Sequence, residues 1–177
     1  MTERKSPLAV VPTETPGHGL LAGKKVVVTA AAGTGIGFSA ARRAALEGAD
    51  VLVSDFHERR MTCNVQSTED VDALISGAAE KLGRIDVLIN NAGFGGEGEI
   101  VDMSDEDWDR VLDITLNGTF RATRAALRYF REAPHNGVIV NNASVLGWRA
   151  QRAQAHYAAA KAGVMALTRC SAIEGAD

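Results

Sequence analysis

Cysteine is scarce in this chain, and so are proline and aromatic residues: two Cys, four Pro and 5% Phe, Trp and Tyr in 177 residues. Cys63 and Cys170 form no metal-ligand spacing, so no metal site is expected, and with no secretory signal before them both thiols should be reduced and buried rather than bridged. Charge of one sign is also lacking. The formal net charge is -3 and the basic residues are scattered, which removes the electrostatic footprint of a nucleic-acid or anionic-membrane binder. No apolar run approaches the roughly 20 residues needed to span a bilayer. Met1 to Gly19 is polar and proline-bearing, without the apolar middle of a signal peptide, so a cytoplasmic protein is expected. What remains, 46% hydrophobic and 23% charged residues, suits one soluble domain with one core.

Residues 1–23 carry Pro7, Pro12, Pro16 and three glycines with no sustained apolar period, which reads as a flexible leader. Residues 24–177 read as a single domain. Lys25 to Thr29 is a short β-branched run, followed by a glycine-rich turn and then Ile36 to Glu47, alanine-rich with helical spacing and stopped by Gly48. The pattern repeats: strands at Val51 to Asp55, Ile85 to Asn90 and Val138 to Ser144, and helices at Glu69 to Lys81, Asp105 to Arg131 and His156 to Ile173. Continuous apolar strands alternating with helices predict an α/β fold with a doubly wound parallel sheet covered on both faces. A second strand pair, Val51 to Phe56 and Thr62 to Val65, leaves only His57 to Met61 as a crossover, whereas parallel neighbours need a dozen or more residues. A helix is therefore expected to be missing between Arg60 and Met61, and a C-terminal part beyond Asp177.

The turn Thr29-Ala-Ala-Ala-Gly33-Thr34-Gly35-Ile36-Gly37 lies between the first strand and first helix. There a pyrophosphate can rest on backbone N–H groups and the helix N-terminus, where a Cβ would block its approach. Asp55 ends the next strand 18 residues beyond Gly37, close to the distance at which a carboxylate meets the adenosine ribose hydroxyls. That favours NAD over NADP, whose 2′-phosphate a carboxylate repels; Arg59 and Arg60 leave some room for the phosphate, and Asp55 as a plain loop cap is the alternative.

With Asn90-Asn91-Ala92-Gly93 after a strand, and Tyr157-Ala-Ala-Ala-Lys161 following Ser144 at the spacing S-x12-Y-x3-K, the chain resembles the short-chain dehydrogenase/reductases from about Leu21 onward. The flavour is that of 3-oxoacyl-(acyl-carrier-protein) reductase-like members, including relatives acting on acyl-CoA or steroid-derived substrates. The resemblance implies a Rossmann-type fold and a hydride passed between a nicotinamide dinucleotide and a carbinol or carbonyl carbon. The residue types fit that chemistry. Removing or returning the hydroxyl proton needs an acid/base, Tyr157. A tyrosine titrates near 10 unperturbed, so Lys161, at i+4 on the same helix face, should lower it. Ser144 would hold the substrate oxygen.

The chain departs from the family at two places. The glycine loop is one residue longer than usual, with Ala30 in place of the first glycine. Thr115 stands where the family's fourth catalytic residue is an asparagine, and Asn117 is about 200° away round the helix; the family residue holds a water partly through its main-chain carbonyl, which Thr115 retains. By the same resemblance Gly33, Thr34, Gly35, Ile36, Gly37, Asp55, Asn64, Val65, Asn91, Ala92, Gly93, Tyr157 and Lys161 contact the cofactor. Trp148, Arg149, Gln151 and Gln154 fall near the substrate mouth, with core or surface roles as the alternative. His156 and His135 read as structural. A small-molecule substrate, carrier- or CoA-linked, is expected as partner. A homo-oligomer, preferably a tetramer, should form through the helices at Asp105 to Arg131 and His156 to Ile173, whose small and apolar residues cover more than one face. The rival reading is a catalytically impaired nucleotide-binding sensor or partner-binding module of the same fold.

Overall fold

The computed structural model describes residues 14–56 and 61–176. Five parallel strands form one sheet in the order β3-β2-β1-β4-β5: β1 Lys25–Val28, β2 Asp50–Asp55, β3 Met61–Thr62, β4 Val87–Asn90 and β5 Val138–Asn141. Five α-helices follow or join them: α1 Ile36–Leu46, α2 Thr68–Leu82, α3 Asp105–Leu112, α4 Gly118–Glu132 and α5 Ala155–Glu174. The expected doubly wound α/β sheet is what forms.

Strand β1 sits at the centre because it is apolar on both faces. Val27 joins a cluster with Leu74, Ile75, Ala78, Leu88, Ala122 and Ala126, under α2 and α4. Val26 and Val28 face the opposite way, onto Ala41 and Ala44 of α1, the strict alternation that a pleated strand imposes. All three valines are fully buried, each stabilising the fold by roughly 1.5–3 kcal/mol. Helix α2 begins at a built cap, the Ser67 Oγ accepting from the Asp70 N–H at 3.0 Å, and stops at Gly83, whose φ of +80° suits glycine alone at no steric cost.

The structure departs from the sequence reading in several places. The helical material at Asp105 to Arg131 divides into α3 and α4 around a π turn, Asp113–Asn117. The strand expected to run to Ser144 ends at Asn141, and Ser144 instead caps a short 3-10 turn, Val145–Gly147. Cys63 is buried as expected, but Cys170 is exposed because it lies on the outer face of α5; both are free. The segment expected as β3 shrinks to two residues, paired Ser54 to Met61 and Asp55 to Thr62. The expected missing helix falls at residues 57–60, outside the described residues, as do residues 1–13 of the expected leader.

The later half of that leader is tied down. Glu47, buried at the end of α1, accepts from the His18 and Leu20 N–H groups at 2.8 and 3.1 Å and pairs with Arg43. The Leu21 N–H reaches the Glu47 carbonyl at 3.0 Å, and the Leu21 side chain packs onto the α1 face of the sheet. These backbone donors, reinforced by Arg43, hold the Glu47 carboxyl down to about 2. A glutamate in an unfolded chain titrates near 4.3, so the folded state binds its proton more weakly. The associated stability is present above that unfolded value and is lost as pH falls toward about 2. Urea unfolding followed across this acid range should show a steep loss of stability in the wild-type chain and a flatter profile in Glu47→Gln, the two curves converging at the acid end.

Candidate active site

The chains leaving β1, β4 and β5 are tied side by side, and those leaving β4 and β5 meet the N-terminal half of α5. Strand β1 runs into Thr29, whose Oγ1 accepts from the Asn91 and Ala92 N–H groups at 3.0 and 3.2 Å. This joins the exit of β4 to the exit of β1. Ala30 follows in the left-handed region with φ +50°, the conformation that an initial glycine would adopt freely. Its carbonyl accepts from Asn91 Nδ2 at 3.0 Å. Gly37, in the first turn of α1, is packed so closely that a Cβ would stand 2.7 Å from the Ala30 oxygen and 2.9 Å from Asn91 Cγ. Gly33 and Gly35 behave differently: nothing lies within 4 Å of a Cβ built on either. The loop therefore faces open space there, and Gly35 begins α1 with no side-chain cap, leaving first-turn N–H groups for an anionic ligand. Thr34 and Ile36 are exposed beside them.

Asp55 at the end of β2 accepts from the Ala32 N–H at 3.0 Å and from the Phe56 N–H at 2.8 Å. The carboxylate thus caps the loop, as the plain alternative had it, and in doing so stands beside the glycine turn. Asn64 and Val65 lie past β3: the Asn64 N–H donates to Asp70 at 2.9 Å, and Val65 packs against Gly118. Cys63 is no nucleophile, since burial, and then the charge of Asp70, push its thiol up to about 11.

Tyr157 and Lys161 share one face of α5, with the Lys161 Nζ 5.6 Å from the Tyr157 ring centroid. Lys161 is buried, and burial pulls its ammonium below the usual lysine range. Its Nζ donates to the Asn142 carbonyl at 2.6 Å. The 3-10 turn that follows Ser144 lies against the same helix, a Cβ on Gly147 standing 3.1 Å from the Lys161 carbonyl oxygen. Ser144 Oγ accepts from the Leu146 N–H at 3.2 Å, which leaves its own proton free to donate.

Thr115 is fully buried in the π turn, a feature frequent at functional sites. Its hydroxyl accepts from the Phe94 N–H at 3.0 Å and donates to the Phe94 carbonyl at 2.8 Å. Its main-chain carbonyl accepts from Thr119 Oγ1 at 2.8 Å. Gly93 separates it from the lysine: a Cβ on Gly93 would lie 3.5 Å from Lys161 Nζ and 3.9 Å from Thr115 Oγ1. Asn117 is exposed and hydrogen-bonds Asp113, away from this cluster.

The loop after Gly93 crosses the start of α5. A Cβ on Gly95 would stand 3.3 Å from the Tyr157 ring, and the loop is fastened by Gly98 N–H to the Ala153 carbonyl at 3.0 Å, Gln154 Nε2 to the Gly96 carbonyl at 2.8 Å, and an Arg152–Glu99 ion pair. Trp148 is 77% exposed, so it is not core, and Arg149 and Gln151 are exposed with it. His156 is buried and takes the Tyr157 N–H on its Nδ1 at 2.9 Å; His135 meets the Ile85 carbonyl at 2.9 Å. Two hollows lie elsewhere, one of about 580 Å³ along the edge of β5 and another on α3. Neither touches Ser144, Tyr157 or Lys161, and the candidate site is marked by its clustered side chains. The sequence reading missed Thr29, Phe94 and Asn142; only Thr29, next to the glycine turn, carried a signal.

The family model described as short chain dehydrogenase matches residues 24–177. The chain is 63% identical, over 188 residues that cover 96% of it and 72% of the relative, to the (5R,7aS)-5-hydroxy-7a-methyl-1-oxo-2,3,5,6,7,7a-hexahydro-1H-indene-carboxyl-CoA reductase of Mycobacterium tuberculosis. It is 34% identical to a 3-oxoacyl-(acyl-carrier-protein) reductase of Thermotoga maritima over 171 residues, 87% of this chain and 69% of that one. Among solved structures, a crystal structure of a short chain dehydrogenase from Mycobacterium smegmatis superimposes with a TM-score of 0.91 at 64% identity, covering 94% of this chain and 75% of that one.

An alanine at φ +50° is disfavoured by about 1–2 kcal/mol in L-residues. Ala30→Gly should therefore raise the urea midpoint, by roughly 0.5–1 kcal/mol of stability once glycine's greater unfolded-state freedom is deducted. An unchanged or lower midpoint would mean that the Ala30 backbone carries no strain.

Proposed function

The chain belongs to the short chain dehydrogenase family, and on that premise we propose that it interconverts a secondary alcohol and a ketone on a CoA-linked acyl substrate, with NAD(H) preferred. Family membership makes it an oxidoreductase of CH–OH and ketone groups that uses NAD(P). The reading rests above all on one observation: Tyr157 and Lys161 share a face of α5 against which the turn bearing Ser144 is packed.

The open space over Gly33 and Gly35, the uncapped start of α1 and the Asp55 carboxylate fit a dinucleotide, with Gly37, Ile36 and Thr34 beside the pyrophosphate and Asn64, Val65, Asn91, Ala92 and Gly93 along the remainder. When bound, the nicotinamide accepts or supplies the hydride. The protein's part is the proton. In oxidation the Tyr157 phenolate oxygen takes the proton of the substrate hydroxyl as the hydride leaves the carbinol carbon; in reduction the same phenol returns it. Lys161 favours the phenolate by its charge, and a lysine with one donor on Asn142 keeps two for the ribose and for Tyr157. Ser144 donates to the substrate oxygen. Thr115 acts by holding Phe94, and so the loop over Lys161, in place.

The bicyclic CoA thioester in the name of the Mycobacterium tuberculosis relative supports a CoA-linked, ring-bearing substrate over a carrier-protein one. A homotetramer built on α4 and α5 is part of the same reading, supported by exposed Phe120 and Ile173 on those helices, as is a cytoplasmic setting. The match to that relative runs over 188 residues, more than the 177 of this chain, and the same reading puts a lost crossover helix between Arg60 and Met61.

Two measurements test the core of it. Dissociation constants for NADH and NADPH should favour NADH, because Asp55 repels a 2′-phosphate; tighter NADPH binding would sink that choice. Tyr157→Phe should bind cofactor as the wild type does but lose turnover by about 10²- to 10⁴-fold on CoA-thioester alcohols, and undiminished turnover would remove Tyr157 from the chemistry.

A further inference from the structure

We propose that Asn142 is a positioning residue which couples the glycine loop to the Lys161 ammonium. The proposal rests on the acid/base reading of Tyr157 and Lys161. Asn142 stands one residue beyond β5, its N–H donating to the Asn90 carbonyl at 2.9 Å, so its peptide extends the sheet. Two further bonds leave it in opposite directions. Its carbonyl receives Lys161 Nζ at 2.6 Å, and its side-chain Nδ2 donates to Asn91 Oδ1 at 2.9 Å.

The direction of this relay is fixed by chemistry. The Ala30 carbonyl can only accept, so Asn91 must turn its Nδ2 toward it, at 3.0 Å, and its Oδ1 toward Asn142, which must then present Nδ2. Gly37 crowds Asn91 from the other side, with room for no Cβ, so the Asn91 amide cannot yield toward α1. A displacement of the Ala30 peptide is therefore passed through Asn91 to the Asn142 peptide. Lys161 is 3% exposed, and a buried ammonium without a partner is costly; it follows the carbonyl that holds it. The position of the Asn142 peptide thus sets how Lys161 faces the Tyr157 ring. His156 is the titratable neighbour of that pair, through the Tyr157 N–H, while Gly93, Gly95 and Thr115, which face it from the loop and the π turn, carry no charge.

Asn142→Leu keeps the branched shape and the backbone carbonyl but removes the tie to Asn91, and Asn142→Ser removes it with a smaller side chain too short to reach. The chain has two tyrosines, so the Tyr157 phenolate can be titrated by ultraviolet difference absorbance with Tyr157→Phe as the blank, without turnover. In both variants that titration should move up by on the order of one pH unit. The rising limb of the oxidation rate against pH should move with it, and turnover near neutral pH should fall roughly tenfold at unchanged substrate KM. A variant with a lowered melting temperature but wild-type titration and turnover would make Asn142 a mere stitch in the sheet and overturn the proposal, as would one indistinguishable from wild type. If Tyr157→Phe itself retains turnover, the acid/base reading fails first, and that outcome is read separately from the Asn142 variants.

Discussion

One hydroxyl carries an unusual share of the arrangement. Thr29 Oγ1 stands at the end of the central strand and accepts two successive backbone N–H groups, those of Asn91 and Ala92. Those amides lie past the end of the sheet ladder, where a buried donor would otherwise go unmade at a cost of about 1–3 kcal/mol. Because the hydroxyl takes both, the chain leaving β4 is held against the chain leaving β1. Everything placed by those two exits inherits the constraint: the glycine loop and α1 on one side, Gly93 and its crossing loop on the other, and Lys161 below. An apolar replacement of similar shape would keep the packing and lose the registration.

The same economy recurs at Thr115, which meets two needs with one oxygen by accepting from Phe94 and donating back to it. It does so because the π turn widens the helix at that point, so that a side chain with a single polar atom reaches a loop backbone. An asparagine would have two polar atoms for the two bonds. Threonine supplies the pair from one rotatable hydroxyl, which spends its only donor and leaves a single lone pair over. The departure at the fourth position therefore leaves the scaffold intact.

The alternation of apolar strands and helices, the glycine turn and the spacing of Ser144, Tyr157 and Lys161 were legible in the sequence because each depends on neighbours within about one element. What stayed hidden depends on partners far away along the chain. The anchoring of residues 14–23 needs Glu47, roughly thirty positions later, and composition alone read that stretch as free. The π turn arises from a change of hydrogen-bond register with no residue signature. The end of β5 at Asn141 follows from where β4 stops offering carbonyls, and Asn142 bonds to Asn91 just past the end of the neighbouring strand. Asp55 was legible at the end of its strand, but its bond to Ala32, which makes it a cap on the glycine loop, was offered only as the plain alternative.

Gly37 and Asn91 are separated by most of the first half of the chain, yet the first has no room to grow beside the second: a Cβ on Gly37 meets the Asn91 amide. Ancestry should record this. In a set of descendants a larger residue at the first position would need both a smaller one at the second and a shifted Ala30 carbonyl, since a Cβ there stands 2.7 Å from that oxygen too. Such a pair drifts as a unit, so its two columns would carry one history between them, and a lineage that had altered both would stand out as a branch with its own way of closing the loop onto the sheet.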